Sequence, residues 1–488
     1  MVDRRAFLQI AGATTAWPSA ALAADSQGVV VNDVHSQLTA TRVNRVVEPR
    51  SLDEVRTALR AARAERRAVC IAGGRHSMGA QAFATDGVMI DIRKLDRVVS
   101  FDARRGLIEV ESGMQWPALL DELVRRQAGA AAPWGFSQKQ TGADRLTMGG
   151  SLSANVHGRG LTLPPFASDI ESFTLLDSRG ELRRCSREEN RELFSLAIGG
   201  YGLFGFVHTV TLRLIPRRKL ERVVEVRDID GLAVAFAKRI EDGFLYGDFQ
   251  YSIDRDSDTF LKRGVFSCYR PVARDAPMPA QQKELGERDW IDLLYLAHAD
   301  QRQAFERYAG YYLSTNGQLY WSDEHQMSIY PDGYHSAIDA RTHGGTATEA
   351  ITEIYCERNA LEAFMADVRA DARRNATPII YGTIRLIERD ADSFLAWARK
   401  PYACVIFNLH VHHTPNGIRE AADAFRRLID IGLRHGGSYY PTYHRYATRR
   451  QVEACFPQFG EFLKLKQKYD PDGVFQSDWY RHYHAMFS

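Results

Sequence analysis

The chain has 488 residues, 45% of them hydrophobic and 25% charged, with 37 glycines and a formal net charge of +2. At roughly 100–200 residues per domain this is room for two or three packed units, and the glycine and aromatic content points to a mixed α/β architecture rather than a coiled coil or a disordered chain. The near-neutral charge argues against a dedicated nucleic-acid or acidic-membrane surface, and beyond the N-terminus no apolar run approaches the roughly 20 residues of a membrane span.

Asp3-Arg4-Arg5-Ala6-Phe7-Leu8-Gln9 resembles the twin-arginine export motif; a weakly apolar stretch over 10–16 follows, then Ala21-Leu22-Ala23 as a small-residue cleavage site. Residues 1–24 are expected to be a signal peptide and the product periplasmic or secreted. That route carries proteins already folded around a cofactor, so tight cofactor binding is expected. The six cysteines show no C-x-x-C spacing, no zinc or iron–sulfur site is readable, and they are expected to be core thiols.

The pattern then predicts a strand over 43–48 ended by Pro49, a helix capped by Ser51 running to Arg66, and a buried strand over 68–72. This unit closes on Gly73-Gly74-Arg75-His76-Ser77-Met78-Gly79-Ala80-Gln81. Glycines let backbone N–H groups converge on a diphosphate, and His76 would stand beside whatever that diphosphate carries; the other reading is an ordinary surface turn. Further strands are expected over 88–92 and 107–110, and a helix over 116–126. A second small-residue cluster runs from Thr147 through Gly149, Gly150, Ser153 and His157 to Gly160. It reads either as a bed for a flat, extended ligand or as a glycine-rich connector. A hairpin over 170–184 and the cluster Gly199-Gly200-Tyr201-Gly202-Leu203-Phe204-Gly205-Phe206-Val207 lead to a strand over 208–215 closed by Pro216. Longer helical patterns, such as 361–374, and strands such as 403–412 follow. The expected division is a first domain over 25–215, a second over 216–455, and a tail over 456–488 that returns to the first.

In order and spacing, these three glycine clusters resemble those of the FAD-linked oxidases of the vanillyl-alcohol oxidase / p-cresol methylhydroxylase superfamily. The resemblance covers most of 40–215 and resumes near the C-terminus. It implies a two-domain α+β flavoprotein, with a PCMH-type FAD-binding domain and a substrate domain whose antiparallel sheet lies over the isoalloxazine. Cofactor contacts are implied for Gly73, Gly74, Arg75, His76, Ser77 and Gln81, for Thr147, Gly149, Gly150, Ser153, His157 and Gly158, and for Val207 through its backbone. In the related cytokinin dehydrogenases and alditol oxidases the histidine of the His-Ser step binds the flavin 8α-methyl covalently, and His76 falls on that position. Arg75 replaces the usual glycine before it. Arg145 stands where berberine-bridge-type members carry a second, cysteine tether, so a single attachment is expected. His157-Gly158 and the segment Phe456-Pro457, Phe462-Leu463, Tyr469-Asp470-Pro471 and Phe475 resemble the aldonolactone, alditol and decaprenylphosphoryl-ribose oxidases.

Those relatives use a Glu-x-Arg strand and a lysine in a His-Trp-Gly-Lys or similar segment. Here the strand reads Thr383-Ile384-Arg385, and Tyr443 with His444 beside it occupies the lysine segment. A tyrosine becomes a base if a neighbouring cation, Arg385 or Arg445, lowers its pKa; otherwise this run is an aromatic core stripe. Asn408, His410 and His412 alternate on one strand and share a face. That face suits substrate hydrogen bonding better than half a metal site, with a solvated edge strand as the competing reading, and no metal is expected. The expected reaction is oxidation of a CH–OH group of a sugar, alditol or lactone-like alcohol by hydride transfer to flavin N5, with Tyr443 or His444 as base, Arg385 stabilising charge and His410 at the substrate. Oxygen, a quinone or a cytochrome would reoxidise the flavin. A phenolic or benzylic alcohol or amine is the alternative substrate class, and an exported, non-catalytic flavin-binding protein is the second alternative.

Overall fold

In the computed structural model, residues 28–279, 281–328 and 333–488 are described; the expected export segment lies outside them. Ser51 accepts a hydrogen bond from the Glu54 backbone N–H and starts the helix Leu52–Ala64, whose buried stripe is Val55, Ala58, Leu59 and Ala62. The helix stops short of Arg66, which takes φ 54°. The strand expected over 43–48 is instead two. Thr41–Val43 pairs with Val29–Val31, whereas Arg45–Val47 joins a parallel sheet with Val88–Asp91 and Val69–Ala72. The switch falls at Asn44, whose N–H bonds the Gly87 carbonyl. The C-terminal tail reaches this sheet: Val69 N–H donates to the Val474 carbonyl at 2.6 Å and Gln476 N–H to the Val69 carbonyl at 2.9 Å.

A five-stranded antiparallel sheet follows, in the order Leu182–Ser186, Ile170–Leu176, Phe206–Arg213, Leu107–Glu111, Val98–Asp102. Its hairpin turns where Gly180 adopts φ 86°, a left-handed conformation open to glycine at little cost. Residues 219–412 supply a seven-stranded antiparallel sheet whose order is Leu319–Trp321, Lys219–Asp228, Arg263–Pro271, Tyr246–Tyr251, Ile379–Ile387, Tyr402–His412, Ala347–Cys356. The fold class is α+β, as the sequence implied. Strand alternation gives this sheet two unlike faces. Ile354, Ile384, Val405 and Phe407 share a fully buried core with Phe364, Val368 and Phe425 from the helices Leu361–Arg374 and Pro415–Arg434. The opposite face carries Asp248, Thr383, Arg385, Asn408, Glu349 and Glu353. All six cysteines are buried free thiols. Among the described residues no helix is long and apolar enough to cross a membrane.

Candidate functional site

A cavity of about 1050 Å³ lies between the glycine-rich segments and the polar face of the seven-stranded sheet. One wall is the loop after Val69–Ala72, with Gly73, Gly74, Arg75, His76, Ser77 and Gln81 all at the lining. Arg75, in the position of the expected glycine, is held at φ 57°. For a non-glycine residue this conformation costs roughly 1–2 kcal/mol. Gln81 fixes the loop to a distant one: its side-chain amide donates to the Pro441 and Thr442 carbonyls at 3.0 and 2.9 Å and accepts the Gly79 N–H at 2.9 Å. The segment carrying Tyr443 is thereby fastened to the segment carrying His76.

Burial lowers the pKa of His76 to about 4, and the nearby cations of Arg145, Lys139 and Arg75 add to the effect. The imidazole is therefore neutral at pH 7. Its Nδ1 lies 2.8 Å from Nε2 of His35, whose own pKa is pushed well down by burial and by His76. Two neutral imidazoles can share one hydrogen bond, and if His35 accepts it, the Nε2 lone pair of His76 is left uncommitted.

The second glycine segment forms a short helix, Met148–Ala154. Thr147 caps it by accepting from the Gly150 N–H at 3.1 Å. Gly149 packs the helix against the neighbouring strand, since a Cβ there would lie 2.9 Å from that of Ser112. Thr147, Gly149, Gly150 and Ser153 line the cavity, as does Val207 from the third segment. His157 and Gly158 do not line it, which corrects the implied contact. A Cβ at Gly158 would press on the Lys139 carbonyl, and His157 is fully buried behind the wall with Nδ1 against the Gly158 carbonyl and Nε2 bonded to the Glu353 carboxylate.

Glu353 is the residue that sequence reasoning missed. The strand order places it across from Ile406 and Thr383, so the acid that the Thr383-Ile384-Arg385 strand lacks arrives from another strand on the same face. Burial would raise its pKa, but His157, the Cys404 thiol and Arg385 outweigh burial and hold it below the usual carboxylate value. Cys404 Sγ and the Tyr355 hydroxyl both donate to Oε1, at 3.0 Å, while Oε2 has no partner among the described residues.

Arg385 and Tyr443 both line the cavity. Arg385 is buried, and among the described residues its Nε and Nη1 lack partners, as do Thr383 Oγ1, Asn408 Oδ1 and Asp248 Oδ1. Unsatisfied buried polar atoms are costly, so this face is built for a polar ligand. The Tyr443 hydroxyl accepts from the Gln140 side-chain amide at 3.3 Å. Its expected low pKa is not found. Burial and the adjacent Glu353 push it well above the ordinary tyrosine value, against a smaller opposing effect of Arg385, and Arg445 turns away to the Asp478 carbonyl.

His444 and His410 also move out of the reacting set. His444 stacks on Phe425, Tyr439 and Tyr446 and contacts Thr352 Oγ1 at 3.0 Å, and burial drops its pKa to about 3. An aromatic sandwich, not the cavity, surrounds it. His410 sits beside Glu349, its cross-strand partner; of the alternating set Asn408, His410 and His412, only Asn408 reaches the lining.

The glycine wall suits a dinucleotide with a planar ring system: Val207, Gly205, Gly149, Gly150 and His76 line one cavity together with the sheet residues whose buried polar atoms lack partners among the described residues. Comparison with known proteins agrees. Residues 43–186 match the family model for an FAD binding domain, and residues 353–483 that for D-arabinono-1,4-lactone oxidase. The chain is 25% identical to an L-gulono-1,4-lactone dehydrogenase of Mycobacterium tuberculosis over 89% of its length and 95% of the relative's. It is 23% identical to a decaprenylphosphoryl-beta-D-ribose oxidase of Mycolicibacterium smegmatis over 87% and 91%. With the L-gulonolactone oxidase of Bos taurus it shares 31% identity over 36% and 38%. Cofactor wall, sheet face and matched models converge: the chain carries an FAD binding domain and a D-arabinono-1,4-lactone oxidase domain, as expected from its resemblance to the FAD-linked oxidases of the vanillyl-alcohol oxidase / p-cresol methylhydroxylase superfamily.

Proposed function

We propose that the protein oxidises a CH–OH group of a polyhydroxylated, lactone-like substrate, with FAD as cofactor. One observation carries this: a sheet face with five unpartnered polar side-chain atoms, from Asp248, Thr383, Arg385 and Asn408, stands opposite the glycine wall. The relatives named as lactone oxidases and dehydrogenases favour this substrate class over a benzylic alcohol or amine, and over a non-catalytic role. When bound, the flavin accepts the hydride from the substrate carbon. Arg385 donates hydrogen bonds to the substrate oxygen that gains negative character, in a water-poor site where such bonds are strong. Tyr443 remains a phenol at neutral pH, so it works as a relay rather than a free base: it receives the substrate hydroxyl proton as its own proton passes toward the ionised Glu353. His157 and Cys404 fix that carboxylate from behind.

His76 is proposed as the single covalent anchor, through Nε2 of its neutral imidazole, with His35 accepting the hydrogen bond from its Nδ1–H. Denaturation in acid tests this. Yellow protein pellets from the wild type and colourless ones from His76→Ala support the bond; a colourless wild-type pellet sinks it, while flavin bleaching by lactones would still uphold the oxidase reading. No turnover of any sugar lactone or alditol by the flavin-loaded protein would refute the substrate class. Oxygen, a quinone or a cytochrome is the proposed acceptor, and the twin-arginine-like segment supports a proposed periplasmic or secreted location, testable by fractionation of cells carrying Arg4→Lys/Arg5→Lys.

A further inference from the structure

A second chemistry-bearing cluster lies beside the cavity and takes no part in the proposed oxidation. His298, near the end of the helix Glu287–Ala299, Glu349 at the start of its strand and His410 on the adjacent strand bring one ligand atom each within 4.8 Å of one another. Glu349 Oε1 is 3.3 Å from His298 Nε2 and 3.5 Å from His410 Nδ1. A well-formed N–H···O bond spans about 2.7–3.2 Å, so these contacts are long for hydrogen bonds. They match the edge of a tetrahedron around a zinc-sized ion, about 3.3 Å for metal–nitrogen bonds of about 2.05 Å. His298 Nε2 is buried and makes no hydrogen bond among the described residues. The other carboxylate oxygen is already held: His335 Nδ1 lies 2.6 Å from Oε2 and the Tyr334 hydroxyl donates to it. Outer contacts that leave one oxygen of a carboxylate aimed at two imidazoles are the usual supporting shell of a metal ligand.

We propose that His298, Glu349 and His410 form a binding site for one divalent transition-metal ion, with zinc the best chemical match. Two imidazoles and one carboxylate suit zinc and the neighbouring first-row ions and are poor for magnesium or calcium, which prefer all-oxygen sets. The second triad in the molecule supplies the contrast. His157, Glu353 and Cys404 also converge, but there the imidazole bonds the carboxylate directly and the thiol donates at 3.0 Å, so ordinary hydrogen bonding accounts for it. At His298 and His410 the contacts to Glu349 are longer, 3.3 and 3.5 Å, and leave room between the three groups. Three protein ligands leave a fourth position for water or another donor, and Glu349 also lines the main cavity. The ion would therefore tie the helix Glu287–Ala299 to the sheet at the cavity margin. This inference does not depend on the substrate assignment.

Tag-free, flavin-loaded protein stripped of metal by dialysis against a chelator is titrated with Zn²⁺ by calorimetry and with Co²⁺ by visible absorption. The expected result is one equivalent bound, a Co²⁺ d–d spectrum of four-coordinate type that Zn²⁺ displaces, and binding weakened at least about 100-fold in both His298→Ala and His410→Ala. His343→Ala, an exposed control, keeps it. Flavin content and circular dichroism report folding, and His298→Gln and His410→Asn serve if the alanine variants fail to fold. Absence of binding by the folded wild type overturns the proposal, as does binding that survives both histidine substitutions.

Discussion

The two walls of the cavity hold their ligands by different means. The glycine wall works largely through backbone: three short glycine-bearing segments form it, and the second and third are tied by main-chain bonds from Gly199 N–H to the Leu152 carbonyl and from Tyr201 N–H to the Ser153 carbonyl. The sheet wall works through side chains drawn from strands as far apart in sequence as those of Asp248 and Asn408, and five of its polar atoms are without protein partners among the described residues. The first wall is complete in the protein alone; the second is completed by what enters the cavity. Changes to the first should therefore alter retention of the cofactor, and changes to the second should alter turnover at constant flavin content.

Substitutions can break this division. His76→Ala should abolish acid-stable flavin altogether, read by absorbance of the denatured protein. Arg385→Met should lower kcat/KM by about 100–1000-fold, the range found when one transition-state donor is removed, with flavin content equal to wild type; a loss of flavin instead would erase the distinction between the walls. Tyr443→Phe should cost about 100-fold in kcat. Because burial and Glu353 raise the Tyr443 pKa, the wild-type rate should show no alkaline limb at the ordinary tyrosine value, and such a limb that vanished in the variant would argue for a phenolate base.

His444 sharpens the comparison by lying in neither wall. Its folded pKa of about 3 is below the unfolded value of about 6.5. The folded state thus binds fewer protons, and the stability linked to this group is present above about pH 6.5 and is lost as pH falls toward 3. His444→Gln should flatten the acid limb of stability in denaturant titrations, with little change in turnover near neutral pH. The smallest effect is expected at Arg75. Replacing it by glycine relieves a left-handed backbone worth about 1 kcal/mol, so Arg75→Gly should raise the midpoint of thermal unfolding slightly if the side chain itself contributes little.

The glycine wall was legible in the sequence because close backbone approach restricts residue type locally, so Gly73, Gly74, Gly149 and Gly150 announce themselves within a few positions. The helix Leu52–Ala64 and its Ser51 cap were legible for the same reason. Strand partnership was not. Glu353 substitutes in space for the acid missing beside Arg385, yet no local pattern links residue 353 to residue 385; only the shared sheet face does. The same alternation hid the cluster at His410, whose carboxylate partner is 61 positions away. Tyr443 lines the cavity, but the low pKa expected from a neighbouring arginine is not found, because burial is a property of the packed interior that an adjacent arginine in sequence cannot reveal.

The last strand-like contacts of the chain, at Val474 and Gln476, close the parallel sheet that begins with residue 45. A ribosome must therefore release the chain through residue 476 before the N-terminal half can complete its own sheet. Assembly around the cofactor therefore follows synthesis of these residues, and truncation that removes Val474 and Gln476 should be felt first at the sheet that begins with residue 45.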